Sequence, residues 1–211
     1  MARHVALAGV RLFGVTAVAR DTDGGPPAEA NLVRTRDLAA LVKQISDSRR
    51  ELDPADIDLH QRVVEFAFEH GGVLPAPCGT VFRSTEQLRR WMEQNYIALS
   101  EGLQFVAGRC EARVHLARRP TTDGEPSTPA TPSVITECFR ALRRVSSAAM
   151  TLPPVHDPEP ALFSAAFLLD RERWRDFESV VRTLGHRHAG VLLRQTGPWP
   201  PYDFVRLDFG L

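Results

Sequence analysis

Histidines at short spacings are the first residues that suggest chemistry, because imidazole is a common metal ligand. His186 and His188 alternate, and alternate residues of a strand face the same way, so this pair could bind a metal ion. They follow Gly185, which ends a predicted helix, and no third ligand is close in the sequence. We therefore expect two surface histidines. His60 and His70 are ten positions apart, so the helical i,i+4 spacing of zinc ligands is absent.

Asp56, Asp58 and His60 form a second cluster of candidate ligands. This segment has the pattern of a helix, with Asp53 as its N-cap and Pro54 at its first position. Alternate residues of a helix point apart, so the three side chains do not converge on one ion. We expect a charged helix face towards solvent, and we predict no metal site.

Cys78 is the candidate nucleophile. It lies in a proline-rich bend, residues 75–79, where a thiol could be exposed. A reactive thiol needs a neighbouring base, and the sequence spacing identifies none. We therefore predict no catalytic residue and no cofactor. The alternative is a small-molecule-binding or catalytic α+β domain, in which Arg113 or His115 would converge with Cys78 in a pocket.

Three arginines, Arg140, Arg143 and Arg144, fall on the polar side of a predicted helix. The simplest interpretation is a solvated helix surface. The alternative is that these arginines pair with an acidic helix of a partner protein.

The charge balance argues against partners that are bound mainly by charge. Lys+Arg 26 and Asp+Glu 26 give a net charge of zero over 211 residues, so nucleic acid and anionic membranes are not expected as partners. A neutral surface favours self-association. We expect no signal peptide, and no apolar run approaches the ~18 residues of a membrane span. Three well-separated cysteines fit a reducing cytoplasm better than a disulfide framework.

The first half of the sequence alternates strand and helix patterns. The predicted strands are residues 5–18, a short one from Leu32, 73–82 and 110–116, and the predicted helices run from Pro54 to Gly71 and from Ser84 to Gly108. Residues 37–45 are ambiguous, because Leu38, Leu41, Val42 and Ile45 fit helical spacing. The prolines of 73–82 predict an irregular strand that either lies at a sheet edge or is bent, and alternation in 110–116 predicts a strand with one wet face.

The second half repeats this alternation after a segment that cannot pack. Residues 118–132 are rich in Pro and Thr, which predicts a linker. The predicted helices are 135–149 and 174–184, the strands are 162–169 and 191–195, and 151–160 is a second proline-rich loop. We predict an α+β fold of two small ferredoxin-like sandwich domains, each with helices on one face of its sheet. Their limits are 1–117 for the N-terminal domain, 118–132 for the linker and 133–211 for the C-terminal domain.

The most unusual stretch follows the last predicted strand. Residues 196–205 read Thr-Gly-Pro-Trp-Pro-Pro-Tyr-Asp-Phe-Val, and the prolines around Trp199 exclude a helix or a central strand. The segment must be stiff, and it either closes the core of its own chain or docks a partner. The candidate partner-binding residues are Pro198, Trp199, Pro200, Pro201, Tyr202 and Phe204.

This tail resembles the C-terminal signature of the gas vesicle protein family GvpL/GvpF, in which a strand ends in a similar Thr-Gly-Pro-Trp-Pro-Pro sequence. Other segments resemble the family in the same order, namely residues 12–15, 36–42, 79–82 and 165–170. Family members have a strand at the second of these segments, so the resemblance implies a strand at residues 37–45. One segment departs from it. The family usually carries Leu-Pro-Leu-Arg-Phe-Gly where residues 74–79 read Leu-Pro-Ala-Pro-Cys-Gly, so an arginine and an aromatic residue are missing.

The resemblance implies a non-enzymatic accessory or minor structural protein in gas vesicle formation. Its expected partners are the gas vesicle shell protein, other gas vesicle accessory proteins and further copies of itself. It implies a cytoplasmic protein that is associated with gas vesicles.

Overall fold

Two antiparallel β-sheets organise the residues that the computed structural model describes, which are 8–18, 29–46, 51–119, 132–153 and 161–207. The chain divides into two compact units. The first unit comprises Met1–Gly108 and Pro200–Leu211, and the second comprises Arg109–Trp199. Each unit contains one sheet and its own helices, so the described chain is a mixed α/β protein.

The first unit has five strands and three helices in its described part. They are β1 (Gly9–Ala17), β2 (Asn31–Thr35), β3 (Leu38–Ile45), α1 (Pro54–Glu69), β4 (Leu74–Pro75), β5 (Val81–Phe82), α2 (Thr85–Gln94) and α3 (Tyr96–Val106). The sheet order is β2-β3-β1-β4, and β5 also pairs with β1. The predicted irregular edge strand is confirmed, because only the two ends of residues 74–82 form short strands beside β1.

Strand β1 presents its side chains to two layers of helices. Val10, Leu12 and Val15 join a core cluster with residues of α2 and α3, whereas Phe13 lies against His60 of α1. A register shift makes Phe13 an extra residue, which keeps Leu12 and Val15 on one face. Gly14 follows, and only glycine fits there, because a Cβ on Gly14 would lie 2.8 Å from the carbonyl oxygen of Leu74 in β4. The prediction that helices cover only one face of the sheet is therefore wrong for the first unit.

The helix predicted from Ser84 to Gly108 is two helices, α2 and α3, which meet at Asn95. Ser84 caps α2 as predicted, since its hydroxyl accepts a 3.1 Å hydrogen bond from the N–H of Gln87. Asn95 leaves the helical conformation (φ −104°, ψ 14°), and its side-chain amide donates to the carbonyl of Trp91 at 2.8 Å. This local hydrogen bond competes with helix continuation.

The second unit runs β-α-β-β-α-β. Its elements are β6 (Arg109–Arg118), α4 (Pro132–Arg144), β7 (Ala148–Leu152), β8 (Phe163–Asp170), α5 (Trp174–Arg187) and β9 (Val191–Trp199). The sheet order is β7-β8-β6-β9, with every pair antiparallel. The continuous apolar run predicted a central strand, and β8 indeed lies between β7 and β6.

Aromatic rings form the centre of the second core. Phe167 of β8 packs against Phe139 of α4 and Phe177 of α5, with ring centroids 5.8 and 5.4 Å apart. Fully burying a Phe side chain contributes about 1.5–3 kcal/mol, so this contact holds both helices on the same side of β8.

Helix α4 ends at Arg144, although the apolar spacing predicted a helix to residue 149. The N–H groups of Val145 and Ser146 donate to the carbonyls of Leu142 and Arg143 at 3.2 and 3.3 Å, which tightens the last turn. Ser147 N–H then donates to a β8 carbonyl at 2.7 Å. Pairing with β8 therefore makes residues 148–152 a strand.

The predicted domain limits differ from the two units at both ends of the second unit. Residues 109–117 pair with β8 and β9, so they group with the second sheet. Residues 200–207 group with the first unit. Of the predicted linker, Arg118 ends β6 and Pro132 begins α4, while residues 120–131 lie outside the described residues. The linker and the division into two domains that it joins stay a prediction.

Candidate functional site

The predicted partner-binding tail begins on an edge strand. β9 lies at one end of the sheet order and pairs with β6. Between the Glu111–Trp199 and Arg113–Thr196 pairs, β9 contains one more residue than β6, so β9 bulges there. Edge strands and bulges tolerate proline, which explains how Pro198 fits in β9.

Gly197 sets the path of this bulge. Its φ is +119°, and a Cβ there would lie 2.7 Å from the carbonyl oxygen of Glu111 and 2.9 Å from Cη2 of Trp174. Only glycine fits such a close approach. The Gly197–Pro198 peptide bond is cis. Tight packing inside the second unit therefore directs the chain into Trp199.

The indole N–H of Trp199 forms a hydrogen bond within β9. The indole Nε1–H donates a 3.1 Å hydrogen bond to Oγ1 of Thr196, and the ring is half-buried. Pro198 beside it is exposed. This leaves part of the indole and the proline ring available on the edge of the sheet.

After Trp199 the tail belongs to the first unit. Pro200 and Pro201 are buried, and Tyr202–Phe204 forms a 3₁₀ turn whose residues are half-buried. Val205 and Leu207 then pack against the core cluster of the first unit. From residue 200 to residue 207 the tail therefore closes the core of its own chain. Partner binding by the six predicted residues stays a prediction.

A buried ion pair links β1 to α1 in the first unit. Nη1 of Arg11 lies 2.5 Å from Oδ1 of Asp56, and the two side chains are 3% and 7% exposed. Asp56 also belongs to the capping box of α1, in which its N–H donates to Oδ1 of Asp53 at 2.8 Å. A solvent face was predicted here. The prediction is wrong for Asp56 and His60, because their side of α1 packs on β1 and both side chains are buried. The prediction is confirmed for Asp58, which is exposed.

His60 lies one helical turn after Asp56, with its ring edge against Phe13 at a centroid distance of 5.6 Å. Burial lowers its pKa from the ordinary 6.5, Arg11 acts in the same direction, and a hydrogen bond with the backbone of Ala76 opposes them. The buried imidazole is therefore neutral at neutral pH.

The residues named for a catalytic pocket lie in different units. Cys78 belongs to the first unit, is exposed, and has its pKa raised by partial burial, so the thiol is not activated. In the second unit, Arg113 Nε donates to Oε1 of Glu111 at 2.8 Å, and Nδ1 of His115 lies 2.9 Å from Oγ of Ser164. Neither unit contains the whole set. The predicted wet face of β6 is wrong at Glu111, which is fully buried in this central strand.

The two histidines considered as metal ligands differ in exposure. His186 is exposed, whereas Nε2 of half-buried His188 lies 3.4 Å from Oε2 of Glu137. A hydrogen bond from Arg187 is the main cause that lowers the pKa of Glu137. Within the described ranges, no group of three or more His, Cys, Asp or Glu side chains is placed to hold a metal ion. In the same ranges no helix is both long and apolar enough to span a bilayer.

Three surface concavities are lined by polar side chains. Two lie along α4, with volumes of about 390 and 500 Å³, and both include Arg140 and Arg144. The third, of about 400 Å³, surrounds Tyr96 and Ile97 in the first unit. Ile97 is 71% exposed there. The guanidinium of Arg36 lies 4.4 Å from the ring centre of Tyr96.

Both units match one protein family. The sequence profile described as gas vesicle synthesis protein GvpL/GvpF matches residues 9–131 and 125–206. The chain belongs to the GvpL/GvpF family. Membership supports a role in gas vesicle formation.

Two relatives from halophilic archaea extend over most of this GvpL/GvpF-family chain. Gas vesicle protein F2 of Halobacterium salinarum is 26% identical over 186 residues, which cover 86% of this chain and 82% of the relative. Gas vesicle protein F of Haloferax mediterranei is 27% identical over 185 residues, covering 83% of this chain and 81% of the relative.

Two solved structures show the same fold at lower sequence identity. The gas vesicle protein GvpF of Anabaena superposes with a TM-score of 0.78 at 18% identity, covering 95% of this chain and 97% of that protein. GvpF of Microcystis aeruginosa superposes with a TM-score of 0.75 at 15% identity, covering 94% and 99%. The fold of the GvpL/GvpF family is therefore present in this chain.

Sequence reasoning missed the buried polar residues of this GvpL/GvpF-family chain. Arg11 stands between Val10 and Leu12 in an apolar strand, and a buried arginine requires a carboxylate partner. Asp56 and His60 are four positions apart, which puts them on one face of α1. Together these two signals could have identified the cluster.

Proposed function

We propose that this chain is an accessory or minor structural protein in gas vesicle formation, and that it acts through contacts with the shell protein and other vesicle proteins rather than through catalysis. The match of both units to the GvpL/GvpF family carries this proposal. Relatives that are themselves gas vesicle proteins cover more than 80% of the chain, which supports it.

The contact surface we propose is the edge of β9 with the start of the tail. An edge strand offers free backbone groups for strand addition, and a partly exposed tryptophan is a favourable anchor. Exposed Pro198 and half-buried Trp199 supply this surface, with Tyr202 and Phe204 beside them in the tail. Pro200 and Pro201 are buried, so their role in it is to hold the tail.

We further propose a ferredoxin-like second unit and a cytoplasmic protein associated with gas vesicles. The connectivity β-α-β-β-α-β with the order β7-β8-β6-β9 supports the first point. The three unpaired cysteines support the reducing cytoplasm. The zero net charge favours protein partners, including further copies of this chain, over nucleic acid.

Capture of the small shell protein by the purified full chain tests the function. We expect Trp199→Ala to weaken capture about 30-fold, since losing an interface aromatic anchor costs ~2 kcal/mol or more. Phe105→Ala is the matched control, because Phe105 is an aromatic residue 43% exposed in the first unit. Thermal unfolding confirms that both variants fold. Undiminished capture by Trp199→Ala would reject the role of the tail, and no capture by the wild type would reject the shell contact.

A further inference from the structure

Helix α4 carries a row of arginines without carboxylate partners among the described residues. Arg140, Arg143 and Arg144 are exposed, and the structure gives none of them an ion pair in that part of the chain. Arg187 nearby is different, since its Nη1 lies 2.9 Å from Oε1 of Glu137. Among the described residues, the second unit therefore contains arginines with and without a carboxylate partner on the same surface.

These arginines line a concave surface. Arg140, Arg143 and Arg144 surround a concavity of about 390 Å³ together with Ser146 and Ser147. We call these five residues the α4 groove. A second concavity of about 500 Å³ shares Arg140 and Arg144, extends along α4 to Pro132 and includes Arg187 of α5. A bound segment could thus contact the arginines of about one turn of α4 together with Arg187 of α5.

The helix dipole explains only part of this arrangement. Cations are favourable near the C-terminal end of a helix, and Arg143 and Arg144 lie in the last turn of α4. Arg140 lies one turn earlier, and like charges at the i,i+4 spacing of Arg140 and Arg144 repel each other. Carboxylates of a bound partner would relieve this repulsion. Partner binding would therefore explain the position of Arg140, which the helix dipole does not.

We propose that the α4 groove binds an acidic segment of a partner protein, with Asp or Glu carboxylates held by Arg140 and Arg144. The planar guanidinium can donate two parallel hydrogen bonds to one carboxylate, so arginine suits this partner. The inference goes beyond the proposed function, which places contacts at β9 and the tail. It names a separate surface and the chemistry of what binds there.

A nucleic acid fits this groove less well. Binding to single strands normally adds aromatic side chains on which bases stack, and the described residues that line the two concavities include no aromatic one. The net charge of zero also gives the chain no long-range attraction for a polyanion. A short acidic peptide needs only the local cluster.

Binding of a fluorescent poly-glutamate peptide to the full chain, followed by anisotropy, tests the proposal. We expect saturable binding that weakens with salt, and no binding of poly-glutamine. Arg140→Glu/Arg144→Glu is expected to weaken it roughly tenfold or more, because two attractive charges become repulsive. The control Arg175→Glu/Arg182→Glu changes two exposed arginines of α5, with the same change in net charge, and is expected to keep most of the binding.

Three results would overturn the proposal. One is equal binding by the wild type and Arg140→Glu/Arg144→Glu, including no binding by either. Another is equal weakening by both double variants, which would mean that only net charge matters. The third is tighter groove-dependent binding of single-stranded DNA than of poly-glutamate. The probe contains no vesicle protein, so each of these results is distinct from failure of shell-protein capture by the wild-type chain.

Discussion

The two units use the same three kinds of polar side chain, an arginine, a carboxylate and a histidine, in different settings. In the first unit the arginine comes from β1 and the other two from α1, and all three are buried, namely Arg11, Asp56 and His60. In the second unit all three lie at alternate positions of β6, namely Glu111, Arg113 and His115. There the carboxylate is fully buried, whereas the arginine side chain is 36% exposed.

This difference shows that depth, rather than residue type, decides what a polar group contributes. An ion pair that joins two packed elements loses its water on all sides, so each partner depends on the other. A partly exposed arginine such as Arg113 keeps part of its hydration, so stability depends less on its ion pair. The variants below separate the two cases.

The largest effect is expected for Arg11→Ala. Removing the cation leaves the Asp56 carboxylate buried beside β1, and breaking a buried pair in this way costs about 3–5 kcal/mol. Urea unfolding of the full chain measures the loss. Arg187→Ala is the control, because it removes an arginine that is 59% exposed from its pair with Glu137, and little change is expected. Equal losses in the two variants would contradict the role of depth.

An intermediate effect is expected for Arg113→Ala. The buried Glu111 carboxylate loses a charged hydrogen bond of 2.8 Å, which is worth about 1.5–3 kcal/mol. The loss is smaller than for Arg11→Ala, because the Arg113 side chain is 36% exposed, so water already weakens this pair. Arg109→Ala on the same strand is the control, since its partner Asp170 is 51% exposed. A loss for Arg113→Ala no greater than for this control would show that Glu111 does not rely on Arg113.

Local signals predicted the parts of the fold that local chemistry determines. Asp53 and Pro54 start α1 where expected, because capping needs only adjacent residues. The continuous apolar run predicted β8 as a central strand, because burial on both faces excludes polar residues. The tail was recognised by its prolines and aromatic residues, whose types are visible without any structure.

Other features depend on pairings between distant residues, which sequence patterns do not show. Helix α4 stops where Ser147 bonds to β8, and β6 groups with the second unit because its partners are β8 and β9. Arg11 is buried because α1 supplies Asp56. The sequence does not decide whether the tail after Trp199 closes its own core or docks a partner, since the residues it packs against are core residues of the first unit, far away in sequence.

The smallest effect, and one seen only in acid, concerns the two histidines. Burial and Arg11 lower the pKa of His60 below its ordinary 6.5, so the unfolded chain takes up this proton first as the pH falls. The stability from neutral His60 is therefore fully present above about pH 6.5 and is lost as the pH falls towards the folded pKa, by at most about 1.4 kcal/mol per pH unit.

The pKa of His115 is also lowered, by burial and then by Arg113, but this ring is only half-buried. Urea midpoints measured on both sides of pH 6.5 should therefore depend less on pH in His60→Leu than in His115→Leu. If His115→Leu flattens the profile more, depth does not govern these histidines, and the contrast between the two units is limited to their ion pairs.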